Sequence, residues 1–430
     1  MKHPYGAWPS PLSAERAALG GARFAGLSLS STRKGETLVW WSVLDDGDTA
    51  VKVTRFPGGG QGRRIEAITS ARTRVNEYGG GAFWTHGESI FWVEDTDQRI
   101  RRLDLCGETA CLLDEEPHTE VGAQARAGSE ALSVERTGPG HPLVPEPPAP
   151  RSTRYAAGVV EPGGAWMVLE REVHATPEGT PLERQVNDIV WLPTGLAAAH
   201  PTSSLPDGLH VLTDGADFSV SPVLSPDGRY LAWLEWNQPD MPWDATALMA
   251  AEVVVNPDGP RLTSVRRVAG STGPVSRGPL LEDGAVSVCP PCWDPEGRLW
   301  WCDDREDLWF LCAAEEPGLP PEDSGQVVYR TDGEVGYPRW VSGGSRFGFA
   351  GGGVVAAVTV GGVDHVGVFG SPEQAPAMDQ VLTPGWIDML EAADISGPVV
   401  GSIAGSPDGP TAVVVAGHGR TESFGSTPWP

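Results

Sequence analysis

The chain of 430 residues carries 57 acidic against 31 basic side chains, a formal net charge of −26, and is 40% apolar with 17 tryptophans. A composition this apolar supports a large core and sets wholesale disorder aside. The acidic surface repels phosphate backbones and anionic lipid, which argues against nucleic acid and membranes as partners.

The N-terminus has no apolar signal-type region, and no run reaches the ~18 apolar residues of a membrane span. A cytoplasmic location is therefore expected, with the six cysteines reduced. Ser10 as N-cap, Pro11 in the first turn and closing glycines predict one short helix over Ser10–Gly21. Beyond it, 55 glycines and 40 prolines point to many tight turns and short strands. "KGETLVWWSVLDDGDTAVKV" (Lys34–Val53) and "THGESIFWVED" (Thr85–Asp95) each place a glycine turn before an apolar, aromatic run. "VEPGGAWMVLER" (Val160–Arg171), "LSPDGRYLAWLEW" (Leu224–Trp236), "WDPEGRLWWCDD" (Trp293–Asp304) and "GSPDGPTAVVVAG" (Gly405–Gly417) repeat the plan with a proline. Proline presets φ, glycine takes the left-handed position, and the following run is the returning strand.

"SGGSRFGFAGGGVVAAVTVGGVDHVGVF" (Ser342–Phe369) is a further glycine-punctuated, strand-rich stretch. Seven such segments, roughly fifty residues apart, predict small antiparallel sheets closing radially: an all-β, seven-bladed β-propeller in one domain. Its expected bounds are 22–420, between an N-terminal segment 1–21 and a tail 421–430. The Pro-rich stretch Thr137–Arg154 reads as a surface excursion between blades.

Cys289 and Cys292 in "CPPCWDPEG" have metal-like spacing. Cys302 and Cys312, however, sit in apolar strand-like runs, so the cysteines read as buried thiols and no metal or cofactor is expected. One polar stretch stands out. "TRVNEYGGGAFW" (Thr73–Trp84) gathers Arg74, Asn76, Glu77 and Tyr78 ahead of three glycines, a bend or a crowded surface. Glu77 and Arg74 read equally as a structural ion pair or as ligand-contacting, acid/base groups. Asp240, Trp243 and Asp244 in "PDMPWD" form a second cluster, either loop architecture or site. Glu170, Arg171, Glu172 and His174 alternate along a strand, which suits a solvated face; His174, Tyr337 and His365 are further groups within conceivable reach of a pocket.

"TRVNEYGGGAFW" resembles the "RVHEYGGG" signature of the prolyl oligopeptidase family, in its acylaminoacyl- and dipeptidyl-peptidase branch. "SPDGRYLAWLEWNQPDMPWDATAL" (Ser225–Leu248) resembles a blade of the same branch, "PYGAWPSPLSAE" (Pro4–Glu15) its N-terminus, and "DDREDLWFL" (Asp303–Leu311) more loosely one of its strands. The resemblance implies a seven-bladed propeller that precedes an α/β-hydrolase domain bearing Ser, Asp and His. This chain ends at "TESFGSTPWP", where that domain would begin, and contains no G-x-S-x-G elbow. It is therefore expected not to be a serine peptidase as it stands. The resemblance also implies that the face carrying these motifs meets the hydrolase, with Arg74, Asn76, Glu77 and Tyr78 aimed at the central cavity.

Two positions depart from the pattern: Asn76 replaces the signature's His, and "WNQP" (Trp236–Pro239) replaces "WDHP". These changes suggest an altered ligand. The leading expectation is a stand-alone propeller doing cofactor-independent acid/base chemistry on a small molecule, of the dehydration, conjugate-addition or cyclisation type, in bacterial secondary metabolism. In it Glu77, Arg74, Asp240 and Asp244 are catalytic, while Asn76, Tyr78, Trp243, His174 and Tyr337 hold substrate. The alternatives are a binding or docking propeller that partners a separately encoded hydrolase, or a truncated peptidase. An exposed apolar patch would favour docking, and a closed polar cavity would favour the enzyme.

Overall fold

The computed structural model describes residues 23–45, 48–56, 63–105, 142–195, 208–257, 259–271, 285–337, 341–350, 353–369, 399–405, 411–418 and 421–428. The helix expected over Ser10–Gly21 and the motif at Pro4–Glu15 lie outside them.

Among the described residues the strands make seven separate antiparallel sheets, each in chain order from one edge to the other. The first holds β1 (Arg23–Ser31), β2 (Thr37–Asp45), β3 (Asp48–Phe56) and β4 (Arg63–Arg64), and the second β5 (Phe83–His86), β6 (Ser89–Val93) and β7 (Ile100–Asp104). β8 (Thr153–Val160), β9 (Trp166–Ala175), β10 (Pro181–Pro193) and β11 (His210–Val211) form the third. The fourth is β12 (Phe218–Leu224), β13 (Tyr230–Trp236), β14 (Ala247–Asn256) and β15 (Gly259–Gly270). β16 (Cys292–Trp293), β17 (Leu299–Asp303), β18 (Phe310–Ala313) and β19 (Gln326–Tyr329) make the fifth. β20 (Phe347–Ala350), β21 (Gly353–Val360) and β22 (Val363–Phe369) make the sixth, and β23 (Val399–Gly405), β24 (Thr411–His418) and β25 (Thr421–Pro428) the seventh. The tail expected from 421 is instead mostly β25, paired along its length with β24.

The first strand of each sheet is innermost. β1 packs on β5, β5 on β8, β8 on β12 and β20 on β23, while β23 returns to β1 and closes the ring. This is a β-propeller. The quoted turn units are the connections from the first to the second strand of a sheet. Ser225–Gly228 joins β12 to β13, Asp294–Gly297 joins β16 to β17, and Glu161–Gly164 joins β8 to β9. Each is closed by its own acid. Asp227 accepts from the Arg229 N–H at 3.1 Å, Asp294 from the Arg298 N–H at 2.7 Å, and Glu161 from the Ala165 N–H at 2.6 Å. The glycine of each turn takes positive φ: 70° at Gly228, 84° at Gly297 and 81° at Gly164. The run that follows delivers the core. Trp40, Trp41, Trp92, Trp233, Trp300 and Trp301 are all buried and all on second strands, and all but Trp41 pack between adjacent sheets.

Because the strands alternate in direction, the connections fall on two faces. First-to-second turns share one face. Second-to-third turns, and the links from one sheet to the next, share the other. The innermost strands β1, β8, β12 and β23 each carry a register shift, with Ala157 and Ser221 at φ 49° and 55°. Such bulges bend the strand and leave a central cavity of about 440 Å³.

Candidate functional site

The glycine triple is an inter-sheet crossing. Gly79, Gly80 and Gly81 hold φ of 76°, 92° and 60°, and Gly80 forms a parallel bridge with Ser342, on the link leading to β20. A Cβ on Gly80 would stand 2.4 Å from the Ser342 carbonyl oxygen; one on Gly343 would stand 2.5 Å from the Gly81 Cα. Only glycine allows two backbones this close. Buried Glu170 fastens the crossing: it accepts from the Ser221 N–H and from the Ser342 hydroxyl, both at 2.7 Å. The crossing therefore sits over the centre of the ring, between second and sixth sheets.

The polar residues before the triple do not enter the cavity. Val75–Glu77 is a single 3-10 turn with Asn76 and Glu77 at φ 52° and 63°. Asparagine tolerates that left-handed region better than most residues, which gives Asn76 a backbone role. The expected pair of Glu77 with Arg74 is not formed. Arg74 pairs with Asp95 at 2.9 Å, and Glu77 pairs with Arg154 at 2.6 Å. Arg154, on β8, also donates to the Arg74 carbonyl at 2.7 Å and to Glu172 at 2.9 Å. Glu172 is buried; its second oxygen accepts from the Asn76 N–H at 2.6 Å, and His174 bonds its first. The alternating strand Glu170–His174 is thus not a solvated face. Its glutamates point inward and tie loops down.

The hydrogen bond from Arg154 holds Glu77 below the ordinary carboxylate range. A general acid at neutral pH needs the reverse shift. Ligand atoms of Glu77, Glu172 and His174 lie within 4.8 Å of one another. The Arg154 guanidinium already bonds both carboxylates, so a metal ion there would have to displace a cation.

The other expected residues stand apart. Asp240 is buried in the β13–β14 loop, its N–H bonded to the Asn237 carbonyl at 3.1 Å, and Asp244 accepts from the Met241 N–H at 2.9 Å. Trp243 is half-buried in the same loop. Tyr337 lies on the link to β20, its ring under the Arg346 guanidinium at 5.3 Å. This loop and Tyr337 belong to different inter-strand connections from the Glu77 cluster. Asp294 is the sole charged side chain among the described cavity-lining residues.

Topology does bring them to one face, that of the second-to-third turns and the inter-sheet links. Sequence reasoning missed what else gathers there. Of the ten exposed large apolar side chains among the described residues, eight belong to this face: Tyr78, Val186, Met241, Leu308, Tyr337, Val341, Val360 and Val363. The other two, Val211 and Val265, are on outermost strands. Tyr78, at 75% exposure, and Val341, at 45%, flank the Gly80–Ser342 crossing itself. The opposite face presents the acid-and-glycine turns.

Cys289, Cys302 and Cys312 are buried free thiols, and burial raises all three; Cys292 is pushed up to about 12. No helix among the described residues is long and apolar enough to cross a membrane.

No family model and no curated protein matches the chain. Among solved structures, 99% of the chain is similar to 55% of a puromycin-hydrolyzing peptidase of Mycobacterium tuberculosis, at 26% identity and a TM-score of 0.68. A puromycin hydrolase matches at 24% identity and TM-score 0.68, with the same shares covered. The chain thus spans about half the length of the structures it matches. It resembles the N-terminal propeller of prolyl oligopeptidase family members, as its motifs indicate.

Proposed function

We propose that the chain is the docking propeller of a peptidase-type assembly, and that the face around Tyr78 and Val341 receives an α/β-hydrolase unit. The observation that carries this reading is the one-sided distribution of exposed apolar side chains. Apolar side chains clustered on one face mark interaction surfaces, whereas scattered ones need no explanation. The Gly80–Ser342 crossing supports it, because two closely packed backbones give the unit a platform over the hub. The Arg154 cluster acts beneath that platform as a polar anchor for the Thr73–Gly81 loop. Similarity to half of a puromycin-hydrolyzing peptidase supplies the chemical class of the partner.

Acid/base catalysis on a small molecule is the weaker reading. Glu77 is tied to Arg154 in an ion pair, and the other candidate residues are distributed over separate loops.

A photo-crosslinking residue placed at Tyr78 should capture a serine hydrolase, recognisable by reaction with a fluorophosphonate. The same residue at Asp227, on the opposite face, should capture none. Equal capture from both faces would refute the docking assignment.

A further inference from the structure

We infer that the central cavity is a binding site for an uncharged, apolar small molecule, separate from the docking face. Its volume of about 440 Å³ falls within the ~300–1,000 Å³ typical of ligand sites. The wall is apolar on every side: Leu27, Phe83, Val159, Val223, Trp293 and Phe349 come from six different sheets. Its polar groups are already engaged. Ser28 bonds Thr85 at 2.7 Å, and Ser345 donates to the Phe347 carbonyl at 2.6 Å. The Asp294 carboxylate accepts from the Arg298 N–H at 2.7 Å and from the Trp300 indole at 2.8 Å. No Lys, Arg, His or Glu lines the cavity among the described residues.

An anionic guest would therefore lose its hydration and meet no counter-charge, and the one carboxylate, Asp294, is already engaged, whereas an apolar guest loses only unfavourable water contact. Access follows from the fold. The Gly80–Ser342 crossing covers one end, while Pro226 and Pro295, from the first-to-second turns, lie at the other. A guest thus enters from the face opposite the docking surface. Preformed apolar cavities of this kind take up small aromatic molecules.

The test is a fluorescence titration of the full chain with N-phenyl-1-naphthylamine, a neutral probe, and with its close anionic relative 1-anilinonaphthalene-8-sulfonate. Both are titrated at high salt, so that the net negative charge of the protein is screened. The neutral probe should bind saturably at one per chain, and the sulfonate at least ~10-fold more weakly. Gly344 supplies the blocking variant, because it lines the cavity and a Cβ there meets nothing within 4 Å. Gly344→Phe should weaken the neutral probe at least ~10-fold with an unchanged melting temperature. Tyr78→Ser with Met241→Ser, on the docking face, should leave it unaltered, which keeps this inference independent of the docking one. Unsaturable binding, equal affinity for the sulfonate, or binding lost in the face variant but kept in Gly344→Phe would each overturn the assignment.

Discussion

Gly80 and Ser342, 262 positions apart in sequence, run side by side as a parallel backbone bridge across the middle of the ring. A Cβ on Gly80 would stand 2.4 Å from the Ser342 carbonyl oxygen, and its φ is 92°. Gly80→Ala should therefore destabilise the protein by more than the ~1–3 kcal/mol of an unfavourable backbone conformation alone. Gly344→Ala, into open space, should change it by less than about 1 kcal/mol. Urea unfolding of the two variants beside the parent measures both; equal losses would mean that the crossing is not tight.

Arg154 is the keystone of the Glu77 cluster, and its removal should be far costlier than loss of Glu77. Arg154→Met leaves the buried carboxylate of Glu172 without its cation, a change that typically costs about 3–5 kcal/mol. Glu77 is 72% exposed in its side chain, so Glu77→Gln should cost no more than about 1 kcal/mol. Thermal melts of the two variants should separate clearly. Similar melting points would show that Glu172 is not held by Arg154.

Stability should decline as pH rises through the carboxylate range. Burial raises Asp188, Glu235, Asp294 and Asp304 above their ordinary values. A folded state that holds its proton more tightly than the unfolded one loses stability between the unfolded and the folded pKa. Glu77 and Glu306, lowered by Arg154 and Arg330, act oppositely. Their stabilisation is present above the unfolded value of about 4.3 and is lost only as pH falls through the depressed one. Both are largely exposed, so the four buried or half-buried groups dominate. Calorimetric melts should give a midpoint at pH 5.5 at least as high as at pH 8; a clear rise toward pH 8 would contradict the assignment.

A fluorophosphonate should leave the 430-residue chain unlabelled, because it contains no nucleophile elbow. Stoichiometric labelling at any serine of this chain would show chemistry that its motifs do not encode.

The propeller was legible because its signal is local. Ser225–Gly228 and Asp294–Gly297 each encode a turn with a proline, an acid and a glycine within four residues, and the tryptophan-rich run follows immediately. The site was not legible, because its partners are distant. Arg154 meets Glu77 across 77 positions, and neither spacing nor periodicity ties a β8 arginine to a loop before β5. Asp240 and Asp244 read equally as site or as loop architecture, and the Asp244 carboxylate accepts from the Met241 N–H within the β13–β14 loop. The apolar face escaped for a related reason. Tyr78, Met241 and Val341 stand in three loops far apart in sequence, and only the alternation of strand direction gathers them.

The docking claim is tested most directly by co-purification. The tagged 430-residue chain is recovered from its producing cells with the native face, or with Tyr78→Ser, Met241→Ser and Val341→Ser together. Fluorophosphonate-reactive hydrolase is then quantified per propeller. The account predicts near-stoichiometric hydrolase with the native face and at least ~10-fold less with the triple variant, since interface anchors carry most of the binding energy. No reactive hydrolase with the native face, or equal amounts with both, would contradict it.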